Sequence, residues 1–309
     1  MIRPHVLVLG GGGTLGEAWL RSLLAGLEVE TGWDLRECQA FVGTSAGSIV
    51  AAVLVSGGRP EAARGAAESW EDAAVEATGE RTRSGLPPAL RALGRRAGGL
   101  VAAAATPLAP LAAAGLAPAG AAIRSALLRS GRAPTRGIPG LEAALRGFDS
   151  SFDGRLRVAA VDRSSGRRVV FGAPGAPPAR VAEAVMASCA VPWVFRLITI
   201  GGREYVDGGV WSAANLDAAP VRKGTEVLCL NPTASPRLAR DRLGAVRAFA
   251  GATAAGEALV LRRRGARVRI VAPDAETVHE IGPSLFDGRR RPAVEAAGYA
   301  QGRALAAGA

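Results

Sequence analysis

The chain has 309 residues, of which 49% are hydrophobic and 21% charged, with a formal net charge of +11. That length and balance allow a full buried core, which excludes a disordered protein and leaves room for one large domain or two. Of the 38 basic residues 37 are arginine, scattered except at Arg262-Arg263-Arg264 and Arg289-Arg290-Arg291, and aromatics stand at only 5%. With Ala, Gly and Pro also abundant, this bias reads as that of a GC-rich genome. The pattern argues against a nucleic-acid groove and favours at most a peripheral attraction to an anionic membrane surface.

Val6-Leu7-Val8-Leu9 is an apolar run suited to a strand covered on both faces, and it ends in Gly10-Gly11-Gly12-Gly13-Thr14-Leu15-Gly16. Ala18, Trp19, Leu23, Leu24 and Leu27 then recur at helical spacing until Gly32. A strand, a glycine loop and a helix N-terminus together receive an anion or an oxyanion. Gly11, Gly13 and Gly16 also satisfy the dinucleotide fingerprint, with Glu30 or Asp34 near the position of a ribose ligand. That reading requires the second strand to end at an acidic residue. Arg3 and Pro4 lead straight into the first strand without a leader pattern, so a cytoplasmic location is expected.

The second strand instead runs into Phe41-Val42-Gly43-Thr44-Ser45-Ala46-Gly47-Ser48. This is GxSxG, a serine on a sharp strand-to-helix corner between Gly43 and Gly47, whose small side chains let the backbone pass. The same pattern is also that of a simple tight turn. Residues 60–80 carry a polar helical pattern with Glu61, Glu68, Trp70 and Glu71. From Gly98 to Ile123 there is no charge, but Pro107, Pro110 and Pro118 interrupt any single span. Two short apolar helices forming a cap are expected there, ahead of a disordered segment or a bilayer span. Such a cap would serve a greasy substrate or interfacial docking.

Strands return at Leu156–Asp162 and Arg167–Phe171 as a hairpin, followed by a helix over 179–188 that ends in Ala187-Ser188-Cys189. A second hairpin, Ile198–Ile200 and Glu204–Val206, delivers Asp207-Gly208-Gly209-Val210. A strand at Glu226–Leu230, a long helix over 241–262, a strand at Val268–Val271 and a closing helix over 293–307 complete the pattern. Interleaved strands and helices with no long linker outside 80–137 predict one three-layer α/β domain over residues 1–309, with an Ala/Pro-rich helical cap inserted at about 80–137. Cys38, Cys189 and Cys229 lie far apart in apolar surroundings and read as buried thiols of a reducing compartment; no metal-ligand spacing occurs.

A serine hydroxyl needs a base. Of the two histidines, His5 opens the first strand, at the wrong end of the sheet, and His279 fits only a Ser, Asp, His order with nothing around it that marks a catalytic loop. Asp207 is the better base, because it emerges at a strand end and Gly208-Gly209 let neighbouring backbone approach its carboxylate. Burial would raise its proton affinity, and the amides around Gly11, Gly12 and Gly13 would stabilise the tetrahedral intermediate.

Taken together, GGGGTLG at 10–16, GTSAGS at 43–48, ASCAVPWVF at 187–195 and DGGV at 207–210 resemble the patatin-like phospholipase family. The resemblance implies a lipid acyl hydrolase built as a three-layer αβα sandwich with a mostly parallel central sheet, with a Ser45–Asp207 dyad, an oxyanion loop at Gly11, Gly12 and Gly13, and motif glycines at Gly16, Gly43, Gly47, Gly208 and Gly209; this chemistry needs no metal or other cofactor. Its implied partner is a lipid or ester substrate; separately, the apolar segment 98–123 and the arginine clusters suit a peripheral membrane-surface contact. The chain departs from the family at Leu15, where Arg or Lys is usual, and after Asn215, where proline usually follows two residues later. A dinucleotide-binding protein and a catalytically silent lipid-binding module are the competing readings.

Overall fold

The computed structural model describes residues 2–60, 120–130, 134–145, 150–234 and 244–308. The polar helix expected over 60–80 and most of the cap expected at 80–137 lie outside them. Only Gly120–Arg129 and Pro139–Leu145 are described as helices around that region, and they are α3 and α4.

β1 (Val6–Leu9), β2 (Ala40–Thr44) and β3 (Leu156–Asp162) pair in parallel, and β7 (Glu226–Leu230) and β8 (Arg267–Val271) extend the same parallel sheet on the other side of β1. β4 (Arg168–Phe171) and β6 (Arg203–Asp207) pair antiparallel to β3, and β5 (Ile198–Ile200) pairs antiparallel to β6, which makes eight strands among the described residues. The chain therefore winds one way from β1 to β3 and the other way from β1 to β8. The crevice beyond the carboxyl ends of β1 and β7 is the switch point where open α/β sheets place their sites.

Side-chain alternation sorts the core onto two faces. Leu7, Leu9, Phe41, Leu156 and Val158 pack with α1 (Gly13–Thr31), α2 (Ala46–Val55) and α5 (Val181–Cys189), while Val6, Val8, Val42, Val227 and Cys229 pack against α6 (Gly244–Arg263). With both faces covered, β1 has no exposed side, as its unbroken apolar run requires. Residues Ala46 to Leu54 of α2 are all buried, which suits a helix with no polar face. The corresponding sequence expectations for these elements hold within a few residues. Two short helices were not anticipated: α4, and α7 (Ala275–Ile281), where the Asp274 carboxylate accepts the Thr277 amide as an N-cap.

The final helix, α8 (Arg291–Ala307), packs on α1 around buried charges. Arg291 bridges Glu17 and Glu295, and Arg21 pairs with the same two carboxylates; Glu17 is fully buried, and both arginines are nearly so. Of the Arg289–Arg291 cluster, only Arg289 and Arg290 are thus available to a surface. Removing one partner leaves charge in a dry interior, so Arg291→Met is expected to lower stability by about 3–5 kcal/mol in denaturant melts. An unchanged midpoint would contradict that role for the cluster.

Candidate active site

β2 ends at Thr44 and α2 begins at Ala46, so Ser45 alone makes the corner, with φ 49° and ψ −122°. A non-glycine residue held there stores about 1–3 kcal/mol, which the surrounding packing must impose. A Cβ at Gly43 would run into the Ser48 backbone, and one at Gly47 into the Leu9 carbonyl. Ser45 therefore sits at the amino end of α2, where unpaired helix amides favour negative charge.

Asp207 reaches it through the sheet. β4 occupies one edge of β3 along Val158–Val161, so β2 and β6 must share the other edge. Thr44, the last residue of β2, lies opposite Ala159, and Asp207, the last of β6, lies opposite Ala160. The two strands meet head-on, which brings their terminal side chains together across 162 residues of chain. The Ser45 hydroxyl donates to Asp207 Oδ2 at 2.7 Å, and the Gly209 amide donates to Oδ1 at 2.7 Å. Gly208 lies flat on the Ala159 carbonyl, where a Cβ would collide. Burial pushes the Asp207 carboxyl up to about 7, against the lowering effect of the bonds from Gly209 and Ser45.

The glycine loop passes beside this pair, a Cβ at Gly11 falling 3.3 Å from that of Ser45. Its amides are not equivalent. Gly11 donates to the Ala213 carbonyl at 2.8 Å and Leu15 to the Leu285 carbonyl at 3.0 Å, whereas the Gly12 and Gly13 amides have no acceptor among the described residues. Of the three glycines expected to hold an oxyanion, Gly12 and Gly13 keep free donors and Gly11 does not. Leu15 is buried in the core, and the guanidinium near this turn comes instead from Arg291, whose Nη1 lies 3.5 Å from the Thr14 carbonyl.

His279 is exposed on α7 and His5 Nδ1 accepts the Glu226 amide at the start of β1, so neither joins the Ser45–Asp207 contact. Glu30 pairs with Arg303 and Asp34 with Arg36. Both acids precede β2, whereas a ribose ligand belongs at its carboxyl end. Among the described residues no group of three His, Cys, Asp or Glu side chains is disposed to hold a metal. No helix of the described residues is long and apolar enough to cross a membrane.

Two supporting residues escaped the sequence reading of the site. Ser188 accepts the Ser45 amide, and the fully buried Asn215 amide group donates to Thr44 Oγ1, the Gly208 carbonyl and the Ser212 carbonyl. Asn215 thus ties the end of β2 to the turn that carries Asp207. The sequence draws notice to it only through the missing proline at 217, because its remote partner, Thr44, lies 171 residues away in the chain.

Fold and site together define an α/β protein with a serine elbow beside a buried carboxylate. The chain belongs to the patatin-like phospholipase family, whose model matches residues 7–220. That match takes in the glycine loop, the Ser45 corner and Asp207; β7, α6, β8, α7 and α8 lie beyond it. Among solved structures, VipD from Legionella pneumophila is similar at 15% identity with a TM-score of 0.42, over 99% of this chain and 67% of that one. The heterodimeric ExoU–SpcU complex from the type III secretion system of Pseudomonas aeruginosa is similar at 23% identity with a TM-score of 0.36, over 96% of this chain and 52% of that one. The chain thus spans about half the length of the second of these. No curated protein matches it.

Proposed function

We propose that the chain is a lipid acyl hydrolase that cleaves carboxylic esters with Ser45 as nucleophile and Asp207 as general base. The observation that carries this is the 2.7 Å contact from Ser45 Oγ to a fully buried carboxylate. Asp207 takes the Ser45 proton as Oγ bonds to the acyl carbon, and the oxyanion that forms is held by the Gly12 and Gly13 amides. The tetrahedral adduct collapses, the ester C–O bond breaks, and Asp207 returns the proton to the leaving alkoxide. Water then gives a proton to Asp207 and attacks the acyl-enzyme. Release of the carboxylic acid restores the serine hydroxyl.

A carboxylate near its ordinary value of 3.8 would be a weak base, and burial that lifts it to about 7 matches it to neutral pH. Only the ionised form accepts a proton. With a soluble ester, kcat/KM is therefore expected to rise about tenfold per pH unit below 7 and to level off above it. A flat profile down to pH 5 would contradict the assignment. Glu257 is also raised to about 7, first by burial and then by Asp217, but it accepts the Leu216 amide and does not touch the dyad. Glu257→Gln is expected to leave the midpoint in place.

The substrate class is tested with p-nitrophenyl esters of rising chain length beside phospholipid vesicles. Release of fatty acid from vesicles, with kcat/KM growing with acyl length, is the expected result. Turnover confined to short soluble esters would replace the lipid assignment with a general esterase.

A further inference from the structure

The strand that carries the nucleophile leaves the sheet one residue too early to complete its own ladder. Phe41 donates to the Arg155 carbonyl at 2.9 Å, and in a parallel pair the same rung recurs two residues on along each strand. The next rungs are Gly43 to Arg157 and Ser45 to Ala159. The last one is not made directly, because the corner at Ser45 has already turned the backbone away.

A side chain from another element fills it. Ser188, in the last turn of α5, accepts the Ser45 amide at 2.8 Å and donates its own hydroxyl proton to the Ala159 carbonyl at 2.7 Å. The hydroxyl is spliced into the rung, as a bound water would be, but it is held covalently and is fully buried. Two residues on, the Ala190 carbonyl accepts the Asp207 amide at 3.0 Å. The end of α5 therefore sits at the point on β3 where β2 stops and β6 begins, and it satisfies one backbone group from each side of the reacting pair. Cys189 between them is no rival nucleophile, since burial first, and then the Asp207 charge, holds its thiol protonated.

We infer that Ser188 is a positioning residue for hydrolysis: its hydroxyl holds the Ser45 amide and so fixes the strained corner that aims Ser45 Oγ at Asp207. This rests on the reading of Ser45 as the nucleophile. The Ser188 hydroxyl is fully buried and bonds two backbone groups rather than the Asp207 carboxylate, so its loss displaces the nucleophile without changing the base. Misplacement of a reacting group by about 1 Å costs on the order of 100-fold in rate.

The test uses the full chain with Ser188→Ala, the near-isosteric Ser188→Cys and the hydroxyl-retaining Ser188→Thr. Rates on a soluble p-nitrophenyl ester are normalised to the amount of Ser45 that an excess of fluorophosphonate finally labels, so that misfolded chains do not count. The expected result is a fall of about 100-fold in kcat for the Ala and Cys variants, with KM within about threefold and the pH midpoint unchanged, while Thr stays within about tenfold of wild type. If Ala fails to fold, Cys alone decides. A kcat per labelled site that stays within about threefold of wild type in the Cys variant would overturn the inference while leaving Ser45 as nucleophile. So would a shifted pH midpoint, or a Thr variant as slow as Cys. A wild-type chain that fluorophosphonate leaves unlabelled at Ser45 fails at the earlier step and removes the hydrolase reading itself.

Discussion

Ser45→Ala and Asp207→Asn are each expected to cut ester turnover by on the order of 10⁴-fold or more, in chains that remain folded. The size of the effect follows from the way the two groups share one proton. Without the hydroxyl there is no acyl-enzyme; with an amide at 207 the hydroxyl keeps its proton and has nothing to deliver it to. Because they act as a unit, the double variant should be no slower than the worse single one. His279→Ala should turn over normally, and loss of activity there with retention in Asp207→Asn would transfer the base to the histidine. Stability should move the other way. Burial lifts Asp207 from 3.8 to about 7, so folding favours its protonated form, and the associated stability is lost as pH rises through 7. Asp207→Asn is therefore expected to unfold at a higher temperature than wild type at pH 8, with the gap closing towards pH 4.

Gly47→Ala is expected to cost at least about 3 kcal/mol and most of the activity, although it adds a single methyl group to a helix. The added Cβ would fall inside the Leu9 carbonyl, which ends β1, and 2.8 Å from that of Gly10, which opens the glycine loop. Neither can yield: Leu9 is locked in the sheet between β2 and β7, and the Gly10 amide is bonded to the Leu230 carbonyl. Only α2 can move, and Ser45 moves with it. Gly256→Ala on α6 is the control, since nothing lies within 4 Å of the added atom. There the usual advantage of alanine in a helix should stabilise the chain by about 0.5–1 kcal/mol. Urea melts of the two variants should shift in opposite directions, and equal shifts would contradict the close approach of α2 to β1.

Much of this fold is local enough to be legible in the sequence. The apolar runs at Val6–Leu9 and Glu226–Leu230 need no partner to be recognised, and Gly32, at φ 69°, closes α1 where a left-handed residue is required. Ser45 and Asp207 stand out because glycines adjoin them for steric reasons that act over a few residues. What supports them was hidden. Ser188 resembles any small residue at a helix end until β2 and β6 are seen to abut on one edge of β3, and its bond to Ser45 spans 143 residues of chain. The Gly11 amide could not be set apart from those of Gly12 and Gly13 without Ala213, which bonds to it. The short α7 carries its helix signal in Asp274, and its seven residues are too few to show a period.

The most direct measurement of the central claim is the site and rate of fluorophosphonate modification, mapped by mass spectrometry of peptides at pH 8. The wild-type chain should carry one adduct, on the peptide containing Ser45, and Asp207→Asn should form it at least about 1,000-fold more slowly. An adduct at another residue, or one on Ser45 that forms as fast without the carboxylate as with it, would contradict the account.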